Sequence, residues 1–299
     1  MIKEAIAMTF YANLHTHSTH SDGQYTPEQL VQAAKAEGYR ALAITDHDTA
    51  TAYPHLKKAC DAAGLECLFG VEFSTFLPEG GPFHMTAYHF DPTHPPMQEY
   101  LRQLSIKESH ETQALFERGL AEGLITGITW QEVLDYNGDI TWLCNNHVFR
   151  AMKAKGLVTD LDYMPFFHSV YGSRRGTVPA PYAFRPADEV VRLVHEAGGM
   201  AVVAHPHDRL HLIDRMIEIG VDGMEVWHPE LSAEEQQRAY AIALEKGLYV
   251  SGGTDHFGLC GGMYAASKKP EESPHYIPPL SAGTTEHHFR EIQQRRLMR

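Results

Sequence analysis

The sequence predicts an α/β chain of repeated β/α units arranged as a barrel, and three observations carry that prediction. Short apolar runs alternate with longer stretches that bear helix start and stop signals. The apolar fraction of 43% and the charged fraction of 21% are those of an ordinary globular protein. The polar residues His15/His17, Asp46/His47, Glu72, His205 and Asp255/His256 all fall at or just past the end of a predicted strand. In a β/α barrel those ends converge on one face, where active sites lie.

In chain order, residues 9–14 read as a strand that ends in His15 and His17. Thr26, Pro27 and Gln29 suit N-cap, first turn and capping box, so a helix starts there and stops at Gly38. A short buried strand over residues 41–45 follows, then a helix over 53–63 ended by Gly64, then a strand over 66–71 that delivers Glu72. The alternation returns with a helix over 186–197, a strand over 200–204 reaching His205, a helix over 212–219 and a strand over 223–227. Ser232 and Glu235 form another capping box, and a strand over 248–251 leads to Asp255 and His256. Between residues 95 and 182 the pattern fails. A long helix over 97–121, a short one capped by Thr129 and Glu132, a third over 146–155 and a loop-like stretch over 169–181 read as a helical insertion. The expected organisation is therefore a discontinuous barrel, residues 1–94 and 183–299, around an inserted helical subdomain, residues 95–182. Residues 261–283 read as a long loop and 285–298 as a polar closing helix.

Several classes are disfavoured. The net charge of −13 argues against duplex nucleic acid, which needs a basic face. No apolar run approaches the roughly 18 residues of a membrane span, and the first ten residues lack signal-peptide character. Four cysteines without C-x-x-C spacing read as free thiols of a reducing cytoplasm. The expected setting is cytoplasmic, with no membrane partner. Twenty histidines stand out. His15 and His17 lie two apart in an extended segment, so both imidazoles face one side and can reach one metal ion.

Seven ordered motifs resemble those of the PHP (polymerase and histidinol phosphatase) superfamily of metal-dependent phosphoesterases. They are Leu14-His-Thr-His17, Ser21-Asp-Gly23, Ile44-Thr-Asp-His47, Gly70-Val-Glu72, His84 followed by Tyr88, Ala204-His-Pro206 and Gly253-Thr-Asp-His256. The insertion resembles that of the stand-alone branch acting on small nucleotides or RNA ends. The resemblance implies a distorted seven-stranded (β/α) barrel with two to three divalent ions, manganese, zinc or iron. It implies His15, His17, Glu72 and Asp255 as ligands of a first ion, and Glu72, His84 and His205 of a second. Asp22, His47 and His256 would hold a third. Glu72, Asp255 and His205 would carry catalysis, with a metal-activated water as nucleophile. The family spaces its last pair as Asp-x-His; here Asp255 and His256 are adjacent, so His256 joins the site only if the backbone bends.

The function expected is hydrolysis of phosphomonoesters of nucleotides or short single-stranded RNA ends. The alternatives are a histidinol-phosphate or other small-molecule phosphatase, a metal-dependent amidohydrolase, and a metal-binding module that serves a partner protein. His147, Arg150, Arg174, Arg175 and His228 are the substrate-binding candidates. Asp46 either orients a ligand or caps the next helix, and Trp130 and Trp142 read as core of the insertion.

Overall fold

A computed structural model describes residues 9–256, 280 and 282–297. The elements run β1 (Ala12–Asn13), α1 (Pro27–Glu37), β2 (Ala41–Ile44), α2 (Tyr53–Ala63), β3 (Glu66–Leu77) and β4 (Gly81–Tyr88). The helices α3 (Pro95–Ala121), α4 (Trp130–Asn137), α5 (Asn145–Ala154) and α6 (Tyr163–Phe166) follow. The chain then returns to the sheet through α7 (Ala187–Glu196), β5 (Met200–Val203), α8 (Ile213–Glu218), β6 (Gly223–Trp227), α9 (Ala233–Lys246), β7 (Tyr249–Gly252) and α10 (Glu286–Leu297). The capping boxes at Thr26/Gln29, Thr129/Glu132 and Ser232/Glu235 are all formed.

The seven strands lie side by side in sequence order. The sheet nearly closes, because β1 runs on beyond its two regular residues to bond β7. Leu14 N–H donates to Gly252 O at 3.2 Å, Asp255 N–H to His15 O at 2.8 Å and His17 N–H to Asp255 O at 3.0 Å. Gly253 sits at this seam. A Cβ there would lie 2.3 Å from the His15 nitrogen, so only glycine lets β7 come this near the first strand.

Two features correct the sequence reading. Parallel β/α units are expected, yet β3 extends to Leu77 and turns back as β4, a strand that the β/α reading does not include. β4 pairs antiparallel with both β3 and β5. The turn at Pro78-Glu-Gly-Gly81, with Gly81 at φ 72°, makes the hairpin. This is the distortion of the barrel, and it places His84 opposite Ser74, two residues along the strand from Glu72. The helix expected over 212–219 is also different, since residues 207–212 form a 3-10 turn and α8 begins at Ile213. The predicted loop over 261–283 lies almost wholly outside the described residues.

Helix α10 plugs the barrel at the strands' starting ends. Its Phe289 and Ile292 bury against Ala12, Leu14, Ala41, Ala43, Leu68, Tyr88, Met200 and Val202. The inner space at that end is thus filled, and the other end is left for polar residues. Helix α3 packs its first half, through Met97, Tyr100, Leu101 and Leu104, on the barrel core. Its second half, through Leu115 and Phe116, joins a separate apolar cluster with Val133, Val148, Phe149 and Phe166. Among the described residues no helix is long and apolar enough to cross a membrane.

Candidate metal centre

Each strand end delivers donors to one place. His15 and His17 follow β1, with Thr16 turned outward to bond Ala43 O at 2.7 Å. Residue alternation thus does at this strand what the sequence requires. His47 follows β2, Glu72 lies within β3, His84 within β4 and His205 just past β5. Asp255 and His256 follow β7. Two of these positions have left-handed backbone, His205 at φ 28° and Asp255 at φ 62°. Such conformations are costly for L residues and persist where the surroundings enforce them. The bend at Asp255 answers the spacing problem. His256 turns back, stacks on His17 with ring centroids 4.8 Å apart, and brings Nε2 to 3.7 Å from Asp22 Oδ2.

The donor atoms face common points. His15 Nε2 lies 3.2 Å from His17 Nε2 and 3.3 Å from Glu72 Oε2. His17 Nε2 lies 3.0 Å from Glu72 Oε2 and 3.1 Å from Asp255 Oδ1. His15 Nε2 is 3.8 Å from the same Asp255 oxygen. A tetrahedron of ligands about 2.1 Å from a cation has edges of roughly 3.4 Å. These spacings are therefore those of atoms that share an ion. The second Glu72 oxygen, Oε1, meets His84 Nδ1 at 3.3 Å and His205 Nε2 at 3.1 Å. One carboxylate so addresses two groups of donors. A third meeting point is Asp22 Oδ2, 3.8 Å from His47 Nε2 and 3.7 Å from His256 Nε2, while His47 Nδ1 turns toward Glu72 at 3.1 Å. Buried His47 Nδ1, Glu72 Oε2 and His256 Nδ1 have no hydrogen-bond partner among the described residues. Nitrogen and oxygen donors, left unsatisfied and converging at these spacings, fit divalent cations.

The electrostatics agree. Burial alone would make Glu72 a weak acid, but His15, His84 and His47 hold it well below the carboxylate range. Burial opposes charge on His15 too, yet Glu225, Glu72 and Asp255 outweigh it and lift the imidazole well above its ordinary value. His205 rises to about 9 against burial, chiefly through its bond to Glu72. His47 goes the other way, driven by burial down to about 3. Protons and cations thus compete for the same cluster.

The loop that carries Asp22 is held from two sides. Asp46 accepts from Ser18 N–H at 2.7 Å, Ser18 Oγ at 2.6 Å and Ser21 Oγ at 2.6 Å. Ser21 Oγ in turn lies 3.3 Å from His17 Nδ1, so Asp46 orients the site through the loop. From the segment between β4 and β5, α5 grips the same loop by its carbonyls. Asn146 donates to Asp22 O at 2.6 Å, and His147 Nε2 lies 3.1 Å from Thr19 O. Arg150 donates to Thr19 O at 3.0 Å, Ser21 O at 2.9 Å and Gly23 O at 3.1 Å. Gly23 admits this fold-back, since a Cβ there would lie 2.0 Å from the His17 carbonyl oxygen.

A cavity of about 340 Å³ opens from Asp22, His47 and His84 toward α5 and α6. Its far wall carries Trp142, Tyr163, Phe167, Phe184 and Arg175. Trp142, expected in the insertion's core, instead forms part of this wall and stacks on His47 with centroids 6.0 Å apart. Of the substrate-binding candidates, Arg175 lines the cavity, where it also meets Glu108 at 2.8 Å. Arg174 pairs with Glu122. His147 and Arg150 are committed to loop carbonyls, and His228 is fully buried behind Asp255, its Nε2 3.6 Å from Asp255 Oδ2. Sequence reasoning missed Glu225, buried in β6 with Oε1 2.9 Å from His15 Nδ1. The signal available was a lone acid inside the apolar run Gly-Met-Glu-Val-Trp.

A nearly closed α/β barrel whose strand ends gather these donors beside a small cavity defines a metal-dependent hydrolase. The PHP domain family model matches residues 13–154. The 5'-3' exoribonuclease Rnm of Escherichia coli K12 is 31% identical, over 83% of this chain and 85% of its own. The 3',5'-nucleoside bisphosphate phosphatase of Chromobacterium violaceum is 30% identical, over 81% and 86%. A solved structure from Bifidobacterium adolescentis, assigned as a metal-dependent phosphoesterase, superposes with a TM-score of 0.75 at 27% identity, covering 95% of this chain and 96% of its own. The chain belongs to the PHP family and is a metal-dependent phosphoesterase, a hydrolase of phosphoric esters.

Proposed function

We propose that the enzyme removes phosphate from a single nucleotide, free or at the end of a short single-stranded RNA. The observation that carries this reading is the cavity. It joins the metal-binding face to a wall of four aromatic rings and one guanidinium, within a volume suited to one nucleotide. A cavity of about 340 Å³ is too small for a duplex, in keeping with the net charge of −13. Relatives named as a 5'-3' exoribonuclease and a nucleoside bisphosphate phosphatase support the nucleotide class. Free thiols at Cys60, Cys67 and Cys144 suit a cytoplasmic setting.

In this reading His15, His17, Glu72 and Asp255 hold one divalent ion, and Glu72, His84 and His205 a second. Asp22, His47 and His256 hold a third. When bound, such ions supply an activated water and neutralise charge that develops on the phosphoryl oxygens. The protein's own part is positional. Glu72 ties the two main groups together, Asp255 and His205 fix their outer edges, and α5 holds the Asp22 loop. The rings of Trp142, Tyr163, Phe167 and Phe184 take the base, and Arg175 exchanges Glu108 for an anionic group of the substrate. The insertion, residues 95–182, which carries three of these rings and Arg175, thereby chooses the substrate together with Phe184 just past it.

The test is inorganic phosphate release by manganese-loaded and chelator-stripped enzyme. The panel holds nucleoside monophosphates, 3',5'-bisphosphates, 5'-phosphorylated short RNA and histidinol phosphate. Metal-dependent release from the nucleotides, and loss of it in Glu72→Ala, is the expected result. Release from histidinol phosphate alone, or shortening of RNA without phosphate release, would overturn the monoesterase assignment.

A further inference from the structure

We infer that β6 and the residue just past it supply two positioning residues, Glu225 and His228, that orient the ligands of the first metal position without touching the ion. The inference rests on the ligand roles proposed above for His15, His205 and Asp255. In β6 the apolar Met224 and Val226 point into the outer core, and Glu225 between them points into the barrel, fully buried. Both its oxygens are used. Oε1 lies 2.9 Å from His15 Nδ1, and Oε2 accepts the His205 backbone N–H at 2.8 Å. A carboxylate only accepts, so in the neutral ring that can bind a cation the His15 proton sits on Nδ1 and the Nε2 lone pair faces His17 and Glu72. The same carboxylate anchors His205 in its left-handed conformation at φ 28°. One buried acid therefore sets a ring on β1 and a backbone bend after β5.

His228 is assigned by its own bonds. Its Nδ1 accepts the Glu230 backbone N–H at 3.2 Å, so in the neutral ring the proton is on Nε2. Nε2 is buried, has no hydrogen-bond partner among the described residues, and faces Asp255 Oδ2 from 3.6 Å. The opposite oxygen, Asp255 Oδ1, is the one that meets His15 and His17. An N–H on the outer oxygen fixes which oxygen turns inward. His15, Glu225 and His228 lie close enough together to suggest a cation site of their own. The proton positions exclude it, because the ring nitrogens involved, His15 Nδ1 and His228 Nε2, are both donors.

The test measures manganese(II) binding by electron paramagnetic resonance in the full chain and four variants. His17→Ala should abolish tight binding at the first position. Glu225→Gln, whose amide satisfies only one of two donors, should weaken binding about 10–100-fold, the range found for groups that orient ligands. His228→Phe should weaken it at least about tenfold, and His228→Gln, which restores an N–H, should stay within about threefold of the wild type. If Glu225→Gln and His228→Phe both bind like the wild type while His17→Ala does not, the inference falls and the ligand assignment stands. If His17→Ala binds like the wild type, the ligand assignment itself falls. A readout that needs no change of stability is the ¹⁵N imidazole spectrum of zinc-loaded protein. It should show His228 as the Nε2–H tautomer, and an Nδ1–H tautomer overturns the inference.

Discussion

Arg150→Ala separates two roles for an arginine that sequence reasoning places on substrate phosphate. In the structure its guanidinium spans three carbonyls of the loop that carries Asp22, at 2.9–3.1 Å. Hydrogen bonds from a charged donor contribute about 1.5 kcal/mol each at the low end, hence roughly 4.5 kcal/mol for three. The side chain is half-buried, and water replaces part of what is lost, so we expect a net cost of about 2–3 kcal/mol. At about 2–4 °C per kcal/mol for chains of a few hundred residues, that is a fall in Tm of roughly 4–12 °C. The loop also holds Asp22, so manganese at the position shared by Asp22, His47 and His256 should weaken more than at the others. Scanning calorimetry and a manganese titration read both effects. Arg150→Lys should recover less than half of the loss, because one ammonium cannot span three carbonyls. A variant that melts within about 1 °C of the wild type and shows only a raised KM would place Arg150 on the substrate and refute the clamp.

Two further outcomes follow from the cavity. Burial pushes Asp48 up to about 7, against the bond that its carboxylate accepts from Ser74 N–H at 2.8 Å. The unfolded carboxyl titrates near ~3.9. From about pH 4 to pH 7 the unfolded chain therefore ionises while the folded one stays protonated, and stability falls as pH rises. In chelator-stripped protein Asp48→Asn should melt above the wild type at pH 8, by at most roughly 4 kcal/mol, and no differently near pH 4. Bound cations favour the ionised acid, so metal loading should narrow the gap. Equal melting at both pH values would show that Asp48 meets no such penalty. Phe184→Ala removes one ring of the cavity wall and should raise KM for a nucleotide about 5–100-fold, the worth of one base stack. Its kcat should hold within about threefold, as should KM for a small aliphatic phosphomonoester; a matching loss on both substrates would refute base stacking.

The helix boundaries were legible because their signals are local. Thr26 with Gln29, and Ser232 with Glu235, close capping boxes within four residues, and Gly38, Gly64 and Gly247 end their helices in left-handed backbone. His15 and His17 were legible as a pair for the same reason, since strand alternation is a two-residue rule. The β4 strand was not. Its run Phe83-His-Met-Thr-Ala87 does alternate apolar and polar residues, but so short a run, with its β5 partner far along the chain, does not announce an antiparallel strand among β/α units. Trp142 was misplaced because an indole reads as core whether it fills an interior or walls a cavity.

The barrel class and the family are written in the chain's local patterns and motifs, which also mark His15, His17, Asp22, His47, Glu72, His84, His205, Asp255 and His256 as candidate donors. What each side chain faces is set by the folded arrangement instead. The bend at Asp255 that returns His256, the carbonyls that occupy His147 and Arg150, and the pairing of Glu225 with His15 all join residues far apart in sequence, up to 210 positions in that last case. A hydrogen bond or a shared ion depends on distances of about 3 Å. Sequence spacing sets such distances only within a few residues, and beyond that the closure of the barrel sets them.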